Sequence, residues 1–315
     1  MKKLLPVLSA IALALPVMAH AGTTSILFDA DGSGLAYTPT PVDLLDFKPG
    51  NALSVGGGGI ATGSTVQLLY QANLGLTSLG GISTSLTCSF GASCLTAVAG
   101  FQETATVTST ATTTNASFTL GGTAGPLPSA TNFFYIYAKP TGAAVNAGKD
   151  LAGKGFASGI LILSGYISQV SSSNFTTDRS TELFDQFGGD NYGGKKTIVG
   201  SGATDLTVTI TSSSMDYFPG LNASGLAFSF FNTSTVTPFK QVDPSQRFSS
   251  NGLLDGDLAP VLGTPNGFTG PGGTTADFQL QADGNQSFFA VPEPGTITLV
   301  GMALAGLGFI RRRRA

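Results

Sequence analysis

Histidine is almost missing from this chain: 315 residues contain one, His20. Without imidazole, Ser-His-Asp and Cys-His mechanisms, histidine zinc sites and histidine acid–base catalysis are all excluded. Tryptophan is absent altogether, which removes the usual stacking platform of sugar-cleaving enzymes. Charged residues make up only 10% of the chain. Neither G-x-S-x-G nor S-x-x-K occurs, so serine hydrolases of those patterns are excluded too. Paired carboxylates could still cleave glycosides. Between residues 22 and 290, however, the only glutamates are Glu103 and Glu182. A secreted hydrolase is therefore the weakest of the functional readings.

What the chain does have is two marked ends. Lys2 and Lys3 precede an apolar stretch from Leu4 to Met18, and Ala19-His20-Ala21 closes it. A basic start, a short apolar run and small residues at the −3 and −1 positions are the parts of a secretory signal peptide. Cleavage is expected between Ala21 and Gly22, and it would take the single histidine away. At the other end, residues 295–310 are 16 residues without a charge, followed by Arg311, Arg312, Arg313 and Arg314. As a helix the run would reach roughly 24 Å, a short membrane span that a snorkelling arginine can lengthen. The arginines should stay on the cytoplasmic side. The expected layout is thus a signal helix over 1–21, an exported body over 22–290 in one domain or two, and a tail over 291–315.

The body carries nine basic and seventeen acidic residues, a formal charge of −8. That argues against nucleic acid and against anionic surfaces as partners. Its apolar residues come in short, often alternating runs: Thr65–Tyr70, Asn132–Ala138, Gly159–Ser168, Asp205–Thr211 and Leu226–Phe231. Two more, Asp277–Gln281 and Ser287–Ala290, are expected to pair around a turn at Asp283-Gly284. Gly, Pro, Asn and Ser clusters separate the runs. The fold class this predicts is mainly β, an antiparallel sandwich or jelly-roll-like body. The threonine-rich stretch Glu103–Thr119 reads as an edge strand with its threonines towards solvent, or as a glycosylated segment. Only Asp178–Phe187 has helical spacing.

Cys88 and Cys94 enclose five residues, among them a glycine. In an oxidising compartment such a pair is expected to form a disulfide. The run Gly148–Gly155 nearly matches a phosphate-binding loop, but Gly155 stands where Ser or Thr should hold Mg²⁺. No cofactor is expected, with calcium as the one candidate. Asp29, Asp31 and Gly32–Gly34 begin like an oxygen-ligand loop, yet Thr40 occupies the place of the closing glutamate. A turn between strands fits that loop better. Asp178, Glu182, Asp185 and Asp190 form a second acidic group, readable as ligands or as a solvated surface.

Pro292-Glu293-Pro294 remains. Two prolines two apart prevent helix and hold Glu293 extended just before the apolar run. Pro-Glu-Pro, a short apolar helix and a terminal arginine cluster together resemble the PEP-CTERM sorting signal. The resemblance implies a Gram-negative source, export by the Sec machinery and transient membrane anchoring. It also implies processing by exosortase and delivery to the surface or matrix. A second resemblance spans the body. The stretches LFDADGSG, LLDFKPGNAL, FDQFGGDNYGGKKTIVGSGATDLTV, FFNTSTVTPFKQVDPSQRF and ADFQLQADGNQSF are similar to flocculation-associated PEP-CTERM proteins. It implies a structural, non-enzymatic role in exopolysaccharide-linked aggregation or biofilm, with polysaccharide or like molecules as partners. A calcium-dependent carbohydrate-binding module is the alternative.

Overall fold

The computed structural model describes residues 24–32, 38–55, 60–86, 94–122, 128–129, 131–139, 156–157, 159–178, 200–221, 228–237 and 278–289. Every regular element among them is a strand: β1 Ile26–Phe28, β2 Thr40–Val42, β3 Leu44–Val55, β4 Thr65–Leu79, β5 Ile82–Ser85, β6 Cys94–Ser109, β7 Thr113–Leu120, β8 Phe133–Lys139, β9 Ile160–Asp178, β10 Gly200–Ser213, β11 Phe228–Thr237 and β12 Phe278–Phe289. All the pairings are antiparallel, as the alternating runs predict. The signal helix and the tail helix lie outside the described residues.

The main ladder runs β5-β4-β3-β12-β11-β10-β9-β7-β6-β8, and β4 also pairs with β6 while β9 pairs with β8. Those two extra pairings close it into a ring. One turn of the ring is β3, β4, β6, then β8 and β7 end to end, β9, β10, β11, β12 and back to β3. β7 and β8 share one place because β6 pairs Cys94–Gly100 with β8 and Glu103–Ser109 with β7. Among the described strands, closure leaves β5 as the one short edge strand of this ladder, an arrangement that hides most unpaired backbone.

Period-two alternation fills the interior. In β10, Thr204, Leu206, Val208 and Ile210 are buried. In β8, Phe134, Ile136 and Ala138 join them, and in β6 Leu95, Ala97, Ala99 and Phe101. Bulky residues fit only because glycines stand opposite: a Cβ on Gly202 would meet the backbone of Asn174 and the Phe175 ring. One end of the ring is plugged by the two-stranded β1–β2 sheet and by residues 214–221, where Phe28 and Phe218 pack with ring centroids 5.3 Å apart.

Where β8 gives way to β7, a side chain replaces the ladder. The buried Asn132 amide donates to the Ile167 carbonyl at 2.9 Å and accepts from the Ile167 N–H at 2.8 Å. Asn132→Ala would strand both backbone groups in the interior. We expect a loss of about 2 kcal/mol, read from the urea midpoint.

Two sequence expectations change. Asp283-Gly284 is not a hairpin turn: β12 runs through it as one strand between β3 and β11. The pair is spent on a bulge, with the β3 register slipping between Ala282 and Gly284 while the β11 register runs straight. Ladders on both sides supply more backbone bonding than a two-residue turn would. The threonine-rich stretch is not an edge strand either. It is a hairpin, β6 and β7, set inside the ring between β4 and β9. Thr110 makes its turn: the hydroxyl accepts from the Thr113 N–H at 3.0 Å and the Thr112 N–H at 3.3 Å. Its threonines do face out, with Thr106, Thr108 and Thr119 exposed. Asp178 ends β9, and the rest of the helical run predicted over 178–187 lies outside the described residues.

Candidate functional site

The junction between body and tail is fixed by β12. This strand is held on both sides, Phe289 opposite Phe228 of β11 and Ser287 opposite Leu44 of β3. Pro292 comes three residues after Phe289. Whatever reads Pro292-Glu293-Pro294 must therefore work within a few residues of a fully paired strand. At ~3.3–3.6 Å per extended residue, that is a reach of about 10 Å. Pro292, Glu293, Pro294 and Arg311–Arg314 lie outside the described residues, as do Ala19, Ala21 and Gly22.

The outer wall presents many hydroxyls and few charges, Lys48 and Asp283 among them. Ser164 and Thr211 meet at 2.9 Å, and Thr176 donates to the Asn115 amide oxygen at 2.8 Å. Ser109 and Thr114 meet at 3.2 Å. Cross-strand pairs of this kind stabilise the ladder and leave further lone pairs towards solvent.

β8 adds an aromatic row that its sequence only half announced. Alternation sends Phe134 and Ile136 into the main core, so Phe133, Tyr135 and Tyr137 share the opposite face, with Phe133 buried and the two tyrosines part-exposed. Phe133 and Tyr135 stack at 5.2 Å, and Tyr137 meets Tyr135 edge-on at 6.1 Å. Leu69, Val98 and Phe156 form a small second core with Phe133. The buried Thr96 hydroxyl ties that core down by donating to the Phe156 carbonyl at 2.6 Å. Burial raises the Tyr135 and Tyr137 phenols above their ordinary value, and Tyr135 raises Tyr137 further. Aromatics at both parities of NFFYIYA were the signal for two cores rather than one.

The calcium candidates divide. Asp29 is fully buried, and its carboxylate accepts from the N–H groups of Asp31 and Gly32, each at 3.2 Å. That bonding bends the chain at Asp29–Gly32; Leu35–Tyr37, the strand expected after the turn, lies outside the described residues. Gly32 takes φ 64°, and a Cβ there would fall inside the Tyr217 ring. Among the described residues no three or more His, Cys, Asp or Glu side chains come together to hold a metal. Asp178 is described only as the end of β9; Glu182, Asp185 and Asp190 lie outside the described residues. Cys88 also lies outside, and Cys94 is described only as the first residue of β6.

Two acidic features escaped the sequence reading. Asp46 on β3 and Asp283 at the β12 bulge are brought together by the register. Both carboxyls are raised, chiefly by burial; Asp283 adds to the rise at Asp46, and the Gly284 backbone N–H partly offsets it at Asp283. Glu103 is the other. Odd positions of β6 face the interior, so this glutamate is 3% exposed and pushed up to about 7. Burial is the main cause; the Ser173 hydroxyl favours the ionised form and offsets it in part. Its Oε1 has no hydrogen-bond partner, while Ser173 and Thr204 meet at 2.9 Å beside it.

Residues 290–314 match the PEP-CTERM protein-sorting motif. No curated protein and no solved structure matches the chain. The matched stretch begins one residue after β12 ends, so motif and barrel adjoin without a linker.

Proposed function

We propose, from the exosortase sorting signal that the chain carries, that the β body is a structural or adhesive component of the cell surface or extracellular matrix. The motif makes the chain an exosortase-processed, exported protein that passes through a membrane-anchored intermediate. The motif is the observation that carries the reading. Support comes from a wall rich in serine, threonine and asparagine, from the part-exposed Tyr135 and Tyr137 on β8, and from the lack of histidine chemistry in the body. Many weak polar contacts to polysaccharide, or to like molecules, would give cohesion in flocs or biofilm without turnover. A disulfide between Cys88 and Cys94 would suit the exported compartment.

Processing is read directly by mass. Protein from the culture fluid should end near Pro292 and lack Arg311–Arg314; a chain keeping the arginines overturns the sorting step. Cohesion is read by deleting the gene and scoring aggregation. A deletion strain that flocs normally, with no second copy of such a gene, would overturn the adhesive reading while leaving the sorting step intact.

A further inference from the structure

We propose that the barrel end from which the tail leaves rests on the bilayer, so that the anchored intermediate stands on the membrane with a fixed orientation. The described body has six exposed large hydrophobic residues: Leu27 46%, Leu79 41%, Ile82 78%, Ile160 52%, Leu161 46% and Met215 54%. They come from four separate pieces of chain, and the ladder registers bring all four to the same end. Phe289 marks that end. Ser287 lies opposite Leu44, and Leu44 opposite Ser78, so the Leu79–Ile82 turn is there. Thr209 lies opposite Phe228 and Ser213 opposite Leu163, which places Ile160, Leu161 and Met215 there as well. Leu27 belongs to β1, which the Thr24 N–H joins to the Phe288 carbonyl at 2.9 Å.

The other end differs in kind. Its described turns hold Ala61, Thr62, Gly63, Thr110, Ala111 and Thr112, all exposed. None of the exposed large hydrophobics among the described residues lies there. Alternation does not explain the apolar end, since Ile160 and Leu161 are consecutive and both exposed. Six large exposed apolar side chains at one end, and none among the described residues at the other, is the asymmetry expected of an interaction face.

The occupant follows from chain length. The uncharged run starts at Gly295, six residues after Phe289. Six extended residues span at most about 20 Å, so this end cannot stand far from the bilayer surface. A tether that short gives a high effective concentration, and weak apolar contacts then suffice. Asp31, Asp43 and Asp216 flank the same end and would be repelled by anionic headgroups. The contact is therefore with a zwitterionic surface and is driven by side-chain insertion. It would hold Pro292–Pro294 against the membrane, where a membrane-embedded enzyme works.

This inference rests on the membrane-anchored intermediate, and its test separates the two. The chain has no tryptophan, so single variants Ile82→Trp, Met215→Trp and Thr110→Trp each report alone. The chain with its tail is reconstituted into phosphatidylcholine vesicles with brominated acyl chains and floated on a density gradient. The first two variants should lose most of their emission to bromine and shift to the blue; Thr110→Trp should keep its emission. Floating protein in which Ile82→Trp and Met215→Trp both stay bright overturns the inference alone, and so does equal quenching of Thr110→Trp. Shielding from aqueous iodide without bromine quenching, growing with protein density, would overturn it and assign the face to a second copy of the chain. Protein that does not float overturns the anchoring on which the inference rests.

Discussion

Phe218→Ala is expected to lower the unfolding free energy by about 3–5 kcal/mol, the range for truncating a fully buried phenylalanine. Phe218 has no exposed surface and closes the tail-side end of the barrel against Phe28. Its turn is held by its own N–H bonding to the Ser214 carbonyl at 2.8 Å and by the Leu221 N–H bonding back to it at 3.2 Å. The neighbouring rings of Phe28 and Tyr217 belong to tight pieces of chain and cannot collapse far into the space. Met215, three residues earlier in the same turn, is 54% exposed, and Met215→Ser should stay within about 0.5 kcal/mol. Urea titrations followed by far-ultraviolet circular dichroism compare the two. Equal midpoints would mean that residues 214–221 are not part of the core. The contrast also serves the membrane proposal, because it separates the residue that closes the barrel from the one that faces outward.

The strand-forming stretches were legible because alternation is local. Asp205–Thr211 states its inward set, Leu206, Val208 and Ile210, in its own letters. Closure of the ring was not legible, since the β4–β6 pairing depends on register between distant segments. Asp283-Gly284 shows the same limit. A dipeptide that favours a hairpin in isolation becomes a bulge once β3 and β11 bond to both flanks. The Thr110 turn was hidden for a different reason: it uses a hydroxyl where sequence reading looks for Gly, Pro, Asn or Asp. The tail was the clearest feature of all, because three ordered elements meet in 25 residues and none needs tertiary context. The apolar end of the barrel had no sequence signal. Ile82, Leu161 and Met215 look like core residues until the registers place them together at one exposed rim.

Glu103 carries the second large effect, and its sign follows from the direction of the shift. The folded protein holds this proton up to about pH 7, whereas the unfolded chain releases it near the ordinary value of 4.5. Between those values the folded state binds more protons, so stability falls as pH rises. The contribution is fully present below pH 4.5 and is lost as pH rises through about 7. The gap amounts to about 3 kcal/mol at 1.36 kcal/mol per pH unit. Glu103→Gln keeps the shape and a partner for Ser173 but has no proton to lose. At pH 5 the two proteins should be nearly equal; at pH 8 the variant should be more stable by about 3 kcal/mol. Asp46 and Asp283 are raised as well, so some slope of the same sign remains in both proteins, and only the difference between them belongs to Glu103. Urea midpoints at half-unit steps from pH 4.5 to 8.5 measure it. Parallel curves would place Glu103 in contact with water or with a cation, and would remove the buried carboxyl from the interior formed by β6, β9 and β10.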